Sequence, residues 1–277
     1  MHQLFITLMK NLFPFVVFVL ITSCITIKTT KNEDNFNKPV ISTNETDLDE
    51  IAVDTIEYLK DTTYRFSNYT VTVHAIDSVH IPPLYVDANY RQEIFRSHNN
   101  FYDSAQDLER YLEKTQSMYF NRKGDVLQLS LTDGKTKELK DVLNDTDDVI
   151  AYTYQNFFPS INTYLIRGQL YEGDCYLLIN RINGKKKYVI GEIYPAPNNQ
   201  RVIAINMDLD AGYSSNGLQM IELMQGSYIN KFTIEGVNWA PIALKWVDNT
   251  NVIIKTAERK NSNDYDYIAR FYKLSFR

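Results

Sequence analysis

Oxygen-bearing side chains alternate in the stretch "NMDLDAGY", Asn206 to Tyr213. Asn206, Asp208 and Asp210 stand two residues apart, and Gly212 follows as a turn. Oxygen ligands at that spacing, closed by a glycine, are how calcium loops begin. The pattern departs from such a loop in two ways. The glycine comes one residue late, and Gly217 stands where a bidentate glutamate would close the loop. The competing reading is a solvated strand end. Ile203, Ile205, Met207 and Leu209 then face the core while the acids face water. The strand end is favoured, so no cofactor is expected, and Ca2+ at Asn206, Asp208 and Asp210 is the weaker alternative. Beyond them, Tyr213, Ser214 and Asn216 fall in "GYSSNG", read as a long hairpin loop and as binding-loop candidates. It is not a nucleophile elbow, because the Gly-x-Ser-x-Gly order is absent and strands flank it on both sides.

Other chemistry is sparse. The histidines are His2, His74, His80 and His98, and no pair has zinc-site spacing. Cys175 lies in "DCYLLIN", facing the same way as Leu177 and Ile179, with no histidine near it in sequence to activate a thiol. It reads as core, and no catalytic residue is assigned. No glycine-rich loop cradles phosphate. A carboxylate pair for glycoside hydrolysis would need closeness in space, which spacing alone does not give. The net charge is −5 over 277 residues, and no basic stripe is present. That argues against nucleic acid as a partner.

The amino terminus places the protein. Lys10 and the α-amine precede an apolar run, Leu12 to Ile21, of the length of a signal h-region and too short to cross a bilayer. Ile21-Thr22-Ser23-Cys24 follows. This resembles the lipobox of bacterial lipoproteins. The resemblance implies cleavage before Cys24, a diacylglyceryl thioether on its sulfur and usually a third chain (palmitate-type) on its amine. Two or more chains give stable attachment. The resemblance implies an exported protein, lipid-anchored in the cell envelope at the outer membrane. Lys10 leaves with the signal, so 28 basic residues face 34 acidic ones. Residues 24–46 are rich in Thr, Asn and Lys with no apolar period, and read as a flexible tether.

The elements follow from periodicity. Leu48, Ile51, Ala52, Thr55, Ile56 and Leu59 recur at helical spacing after a capping-type Thr46-Asp47. A second helix is expected from Asp103 to Lys114. "YRFSNYTVTVHAID" reads as a strand, and Pro82-Pro83 as a break. Residues 47–123 therefore form a mixed helix and strand part. From Gly124 the chain becomes strands and turns, and it repeats. The units open at Asp125, Asp174, Gly217 and Asp266, spaced 49, 43 and 49 residues. The first three reach turns at Asp133-Gly134, Asn183-Gly184 and Gln225-Gly226. Such dipeptides favour hairpins through positive φ. The spacing is that of a four-stranded meander.

"ALKWVDNTNVIIKTAE" and "GLQMIELMQGSYINKFTIE" resemble blades of WD40-like or TolB-type β-propellers. The resemblance implies a mostly β fold of blade-like antiparallel meanders over residues 124–277, as a partial or small propeller-like array. A β-sandwich is the alternative. The last unit ends at Arg277 without its outer strand, and "YRFSNYTVTVHAID" is the segment that could supply it.

These readings lead to a lipid-anchored binding or assembly module with no catalysis, its partner an envelope protein or a glycan. A carbohydrate-active or other hydrolytic lipoprotein, and a structural envelope protein without a small ligand, are the alternatives. Twenty Tyr and 14 Phe are compatible with sugar stacking, but strands favour the same residues.

Overall fold

The structure is a computed structural model that describes residues 53–66, 69–98, 100–143, 149–260 and 266–277. The signal segment, Cys24, the tether and residues 144–148 lie outside the described residues. The chain opens with β1 (Val53–Ile56), β2 (Thr62–Phe66) and β3 (Tyr69–Ile76). Two helices follow, α1 (Ala88–Ser97) and α2 (Phe101–Gln116). Next come four meanders in chain order. The first holds β4 (Phe120–Lys123), β5 (Val126–Ser130) and β6 (Thr136–Lys140). The second holds β7 (Ile150–Phe158), β8 (Thr163–Leu170), β9 (Asp174–Asn180) and β10 (Lys186–Val189). The third holds β11 (Glu192–Pro195), β12 (Arg201–Asn206), β13 (Gly217–Met224) and β14 (Ser227–Gly236). The fourth holds β15 (Trp239–Trp246), β16 (Asn251–Arg259) and β17 (Tyr267–Phe276).

The protein is thus mostly β, built of antiparallel blade-like meanders, and none of its sheets closes into a barrel. The fourth sheet takes its missing outer strand from the amino-terminal part. β3 pairs antiparallel with β17, from Phe271 opposite Ile76 to Phe276 opposite Val71, and β2 pairs in turn with β3. The stretch expected as one strand is therefore two. Phe66 opposite Tyr69 brackets Ser67-Asn68, two residues of turn-forming type. The reading as a single strand failed because β-favouring residues continue on both sides of them.

The helix expected from Leu48 to Leu59 is also corrected over its described part, residues 53–59. Val53–Ile56 is a strand, parallel to β14 in the third sheet. Three of its four residues are β-branched, which disfavours helix and suits a ladder. Helix α2 forms as the periodicity indicates, but starts earlier. The Asn100 side chain accepts a hydrogen bond from Asp103 N at 2.7 Å and is the cap. Helix α1 escaped the sequence reading. It has no side-chain cap and turns only Arg91 and Ile94 fully inward.

The sheets stack as layers. Leu108 and Leu112 of α2, Leu127 and Leu129 of the first sheet and Tyr154, Tyr164 and Ile166 of the second form one apolar cluster. The opposite face of the second sheet, with Leu165 and Leu178, packs on Val202, Ala204 and Ile221 of the third. The other face of the third, with Ile203, Leu218 and Met220, packs on Trp239, Ile254 and Leu274 of the fourth. Successive side chains of a strand point to opposite faces. Both faces of the middle sheets are covered, so their strands read as continuous apolar runs. Each such side chain contributes about 1.5–3 kcal/mol on burial.

The three repeated turns differ in kind. Only at Gln225-Gly226 do both residues take positive φ, 48° and 76°. At Asp133-Gly134 and Asn183-Gly184 only the glycine does. There the loops are longer, with Gly134 N bonded to Leu131 O and Gly184 N to Asn180 O.

Candidate functional site

The β12–β13 loop, residues 207–216, is held by its own polar side chains. Asp208 accepts hydrogen bonds from the N–H groups of Ala211 (3.2 Å), Gly212 (2.9 Å) and Ser214 (2.6 Å). Asn206 donates to Ser215 O at 2.7 Å. Asn216 accepts from Asp208 N and donates to Gly236 O and Trp239 O. Ser214 reaches the second sheet, where its Oγ accepts from Asp174 N at 2.9 Å. Asp210 reaches the fourth sheet, accepting from the Tyr267 hydroxyl and lying 3.5 Å from the Arg259 guanidinium. The loop is therefore laced to three sheets.

Asn206, Asp208 and Asp210 all make hydrogen bonds within the fold. Each serves a different partner, and the Asp208 carboxylate is engaged by N–H donors. Among the described residues no group of three or more His, Cys, Asp or Glu is placed to hold a metal ion. Of the expected core positions, Ile203, Ile205 and Leu209 are buried but Met207 is exposed, because β12 ends at Asn206. Ser214 and Asn216 are spent on the loop's own framework. Tyr213 is the loop candidate that remains outward, 52% exposed.

Tyr213 has a neighbour that spacing did not reveal. Tyr171, 66% exposed, leads the β8–β9 turn. Gly173 closes that turn at φ +79°, and a Cβ there would come within 2.8 Å of Tyr213 O. The two turns pass backbone to backbone, and each carries an outward tyrosine. Each ring offers a flat apolar face and a hydroxyl.

A set of buried charges lies among α1, β8, β9 and β11. Arg167 grips Asp174 with two hydrogen bonds, at 2.8 and 2.6 Å. Arg91 bonds Asp87 at 2.7 Å and Gln155 O at 3.1 Å, and stacks over the Tyr85 ring at 4.0 Å. Burial pushes the Glu192 carboxyl above its usual range, against the pull of Arg91 and Arg167. Burial likewise raises Tyr85 and Tyr176. Cations and acids alternate through the set, so it ties α1 to the sheets.

A second set locks the first sheet and α2 to β7. Arg122 donates to both oxygens of Glu109, to Asp141 at 3.0 Å and to Tyr152 O. Glu109 also accepts from Tyr154 N at 2.7 Å, and Asp141 from Tyr152 N at 2.8 Å. One guanidinium faces two carboxylates. Asp141 is the surplus charge, and burial raises its carboxyl to about 6. Here the fold brings carboxylates together, but it places an arginine between them.

Cys175 packs on the Leu177 and Ile179 face, as its position indicated. Burial, with the nearby Asp174 charge, pushes its thiol up to about 12, which suppresses the thiolate. His74 and His80 are exposed, and His98 is paired with Asp107 at 2.6 Å. No helix among the described residues is long and apolar enough to cross a membrane. Tyr171, Arg91, Arg122 and Glu192 escaped sequence reasoning, since contacts such as Arg91 with Gln155 O and Arg122 with Glu109 and Asp141 join distant segments. No protein-family model matches the chain, and no curated protein matches it.

Proposed function

We propose that the chain is an exported lipoprotein, tied to the outer membrane of the cell envelope through lipid on Cys24, that works as a binding and assembly module without catalysis. The anchoring part rests on Ile21-Thr22-Ser23-Cys24 and the apolar run before it. The binding part rests on one observation: the 207–216 loop is braced to three sheets and turns Tyr213 outward beside Tyr171. A rigid rim holds its aromatic faces ready at little entropic cost, which is what a recognition surface needs. The partner is an envelope protein or a glycan, and tyrosine faces suit both.

The test is purification of the tagged protein after chemical crosslinking in living cells. Wild type is compared with Tyr171→Ala and Tyr213→Ala. The reading expects one envelope partner, depleted about tenfold or more by either substitution, as for a contact worth more than about 1.4 kcal/mol. A glycan partner would show instead as glycan-array binding lost in the same variants. Partner and glycan binding that both survive the two substitutions would contradict the assignment of this rim.

A further inference from the structure

The opposite rim differs in chemistry. There the β5–β6, β9–β10 and β13–β14 turns run side by side. Thr132 N donates to Arg181 O at 3.0 Å, and Gly184 lies against Leu131 and the Lys137 side chain. Asn183 donates to Gly226 O at 3.0 Å, and Lys185 Nζ meets Ser227 Oγ at 3.2 Å. The three turns form one continuous edge.

Two apolar side chains stand out from that edge, Ile182 at 54% exposure and Met224 at 50%. Lys135, Lys137, Lys185 and Lys186 lie in or next to these turns. Asp133, paired with Lys135 at 2.8 Å, and Glu138 are the acids beside these four lysines. A local excess of positive charge remains on a chain of net charge −5. Apolar tips within a lysine collar match a lipid interface. The tips enter the headgroup layer while the ammonium groups meet anionic headgroups on flexible apolar stems.

The Tyr171 and Tyr213 turns lie at the other ends of the strands.

We propose that this rim is the membrane-facing surface of the protein, seated on an anionic bilayer through Ile182, Met224 and the surrounding lysines. The proposal extends the anchored-module reading: lipid on Cys24 would hold the chain near the bilayer, and the rim would orient it. The lysine terms predict loss of contact at high salt.

The test uses full-length protein as processed by its host. A polarity-sensitive fluorophore is placed at Ile182→Cys or, separately, at Tyr213→Cys. The native Cys175 thiol is half-buried and its raised pKa makes it slow to label. Flotation with neutral phosphatidylcholine vesicles reads the anchor alone. Quenching by nitroxide-headgroup lipid, in phosphatidylcholine vesicles with about a third phosphatidylglycerol, reads the rim. The expected result is several-fold stronger quenching at 182 than at 213. It should fall to the level of 213 in the triple charge reversal Lys135→Glu, Lys185→Glu, Lys186→Glu and at high salt. Equal quenching at the two positions, or none at 182, overturns the proposal. Failure to float with neutral vesicles contradicts the lipid anchor instead, and the quenching comparison still decides the rim. Triple-reversal protein that keeps the quenching while folded by circular dichroism also overturns it.

Discussion

Asp208 shows how much one side chain can organise at the residue scale. Its carboxylate accepts three backbone N–H groups and sets the path of the loop that carries Tyr213. Hydrogen bonds to a charged acceptor are worth about 1.5–3 kcal/mol each when buried, and less when half-exposed as here. Asp208→Ala should therefore cost about 1–2 kcal/mol and lower the melting temperature by a few degrees. It should also speed hydrogen exchange at Ala211, Gly212 and Ser214. An unchanged exchange pattern would count against the bracing role. Chelator is expected to leave the melting temperature alone, because the carboxylate is already engaged by donors.

Asp141 gives a pH prediction at the same scale. Its folded carboxyl titrates at about 6, against about 4 for a free aspartate. A group raised in the folded state binds its proton more tightly there. Its favourable contribution is fully present below about pH 4 and lost as pH rises through about 6. Glu109, Arg122, Tyr102 and Tyr152 are ionisable groups that face it. Asp141→Asn removes the surplus charge and keeps an acceptor for Tyr152 N. The variant should gain on wild type as pH rises from about 4 to 7. Urea denaturation at both ends of that window checks this, and a constant difference would refute the assignment.

Elements explain which parts of the fold were legible. The four repeat openings at Asp125, Asp174, Gly217 and Asp266 coincide with β5, β9, β13 and β17, since hairpin turns leave local marks. Helix α2 was legible because Ala105, Leu108 and Leu112 mark one buried stripe. β1 was not. Its apolar residues also fit a helical period, and its strand character comes from β14, far along the chain. The same holds at the loop. Asn206, Asp208 and Asp210 were visible as a polar cluster, but their partners Ser215, Gly212 and Tyr267 were not. Tyr171 carried no local signal at all. The helix–sheet layer gives the element-scale prediction. Leu108 is almost fully buried in the cluster joining α2 to the first two sheets. Leu108→Ala should destabilise the protein by about 2–5 kcal/mol. Chemical denaturation measures it, and a cost under about 1 kcal/mol would contradict the packing described.

At the scale of the whole molecule, the layers give a body with two unlike ends. β3 closing onto β17 ties the amino-terminal part to the last meander, so the strand ends are held in register through the stack. One end carries Ile182, Met224 and lysines, and the other carries Tyr171, Tyr213 and the braced loop. A lipid on Cys24 would give that polarity a use, with one end on the bilayer and the other facing a partner. The most direct test places a photo-crosslinking amino acid at Tyr213 in living cells, with Cys24 intact or replaced by Ala. The account predicts a discrete envelope adduct at 213 for the palmitate-labelled protein. It predicts loss of both label and adduct in Cys24→Ala as the protein leaves the membrane fraction. Full membrane retention of Cys24→Ala, with palmitate labelling unchanged, would contradict it.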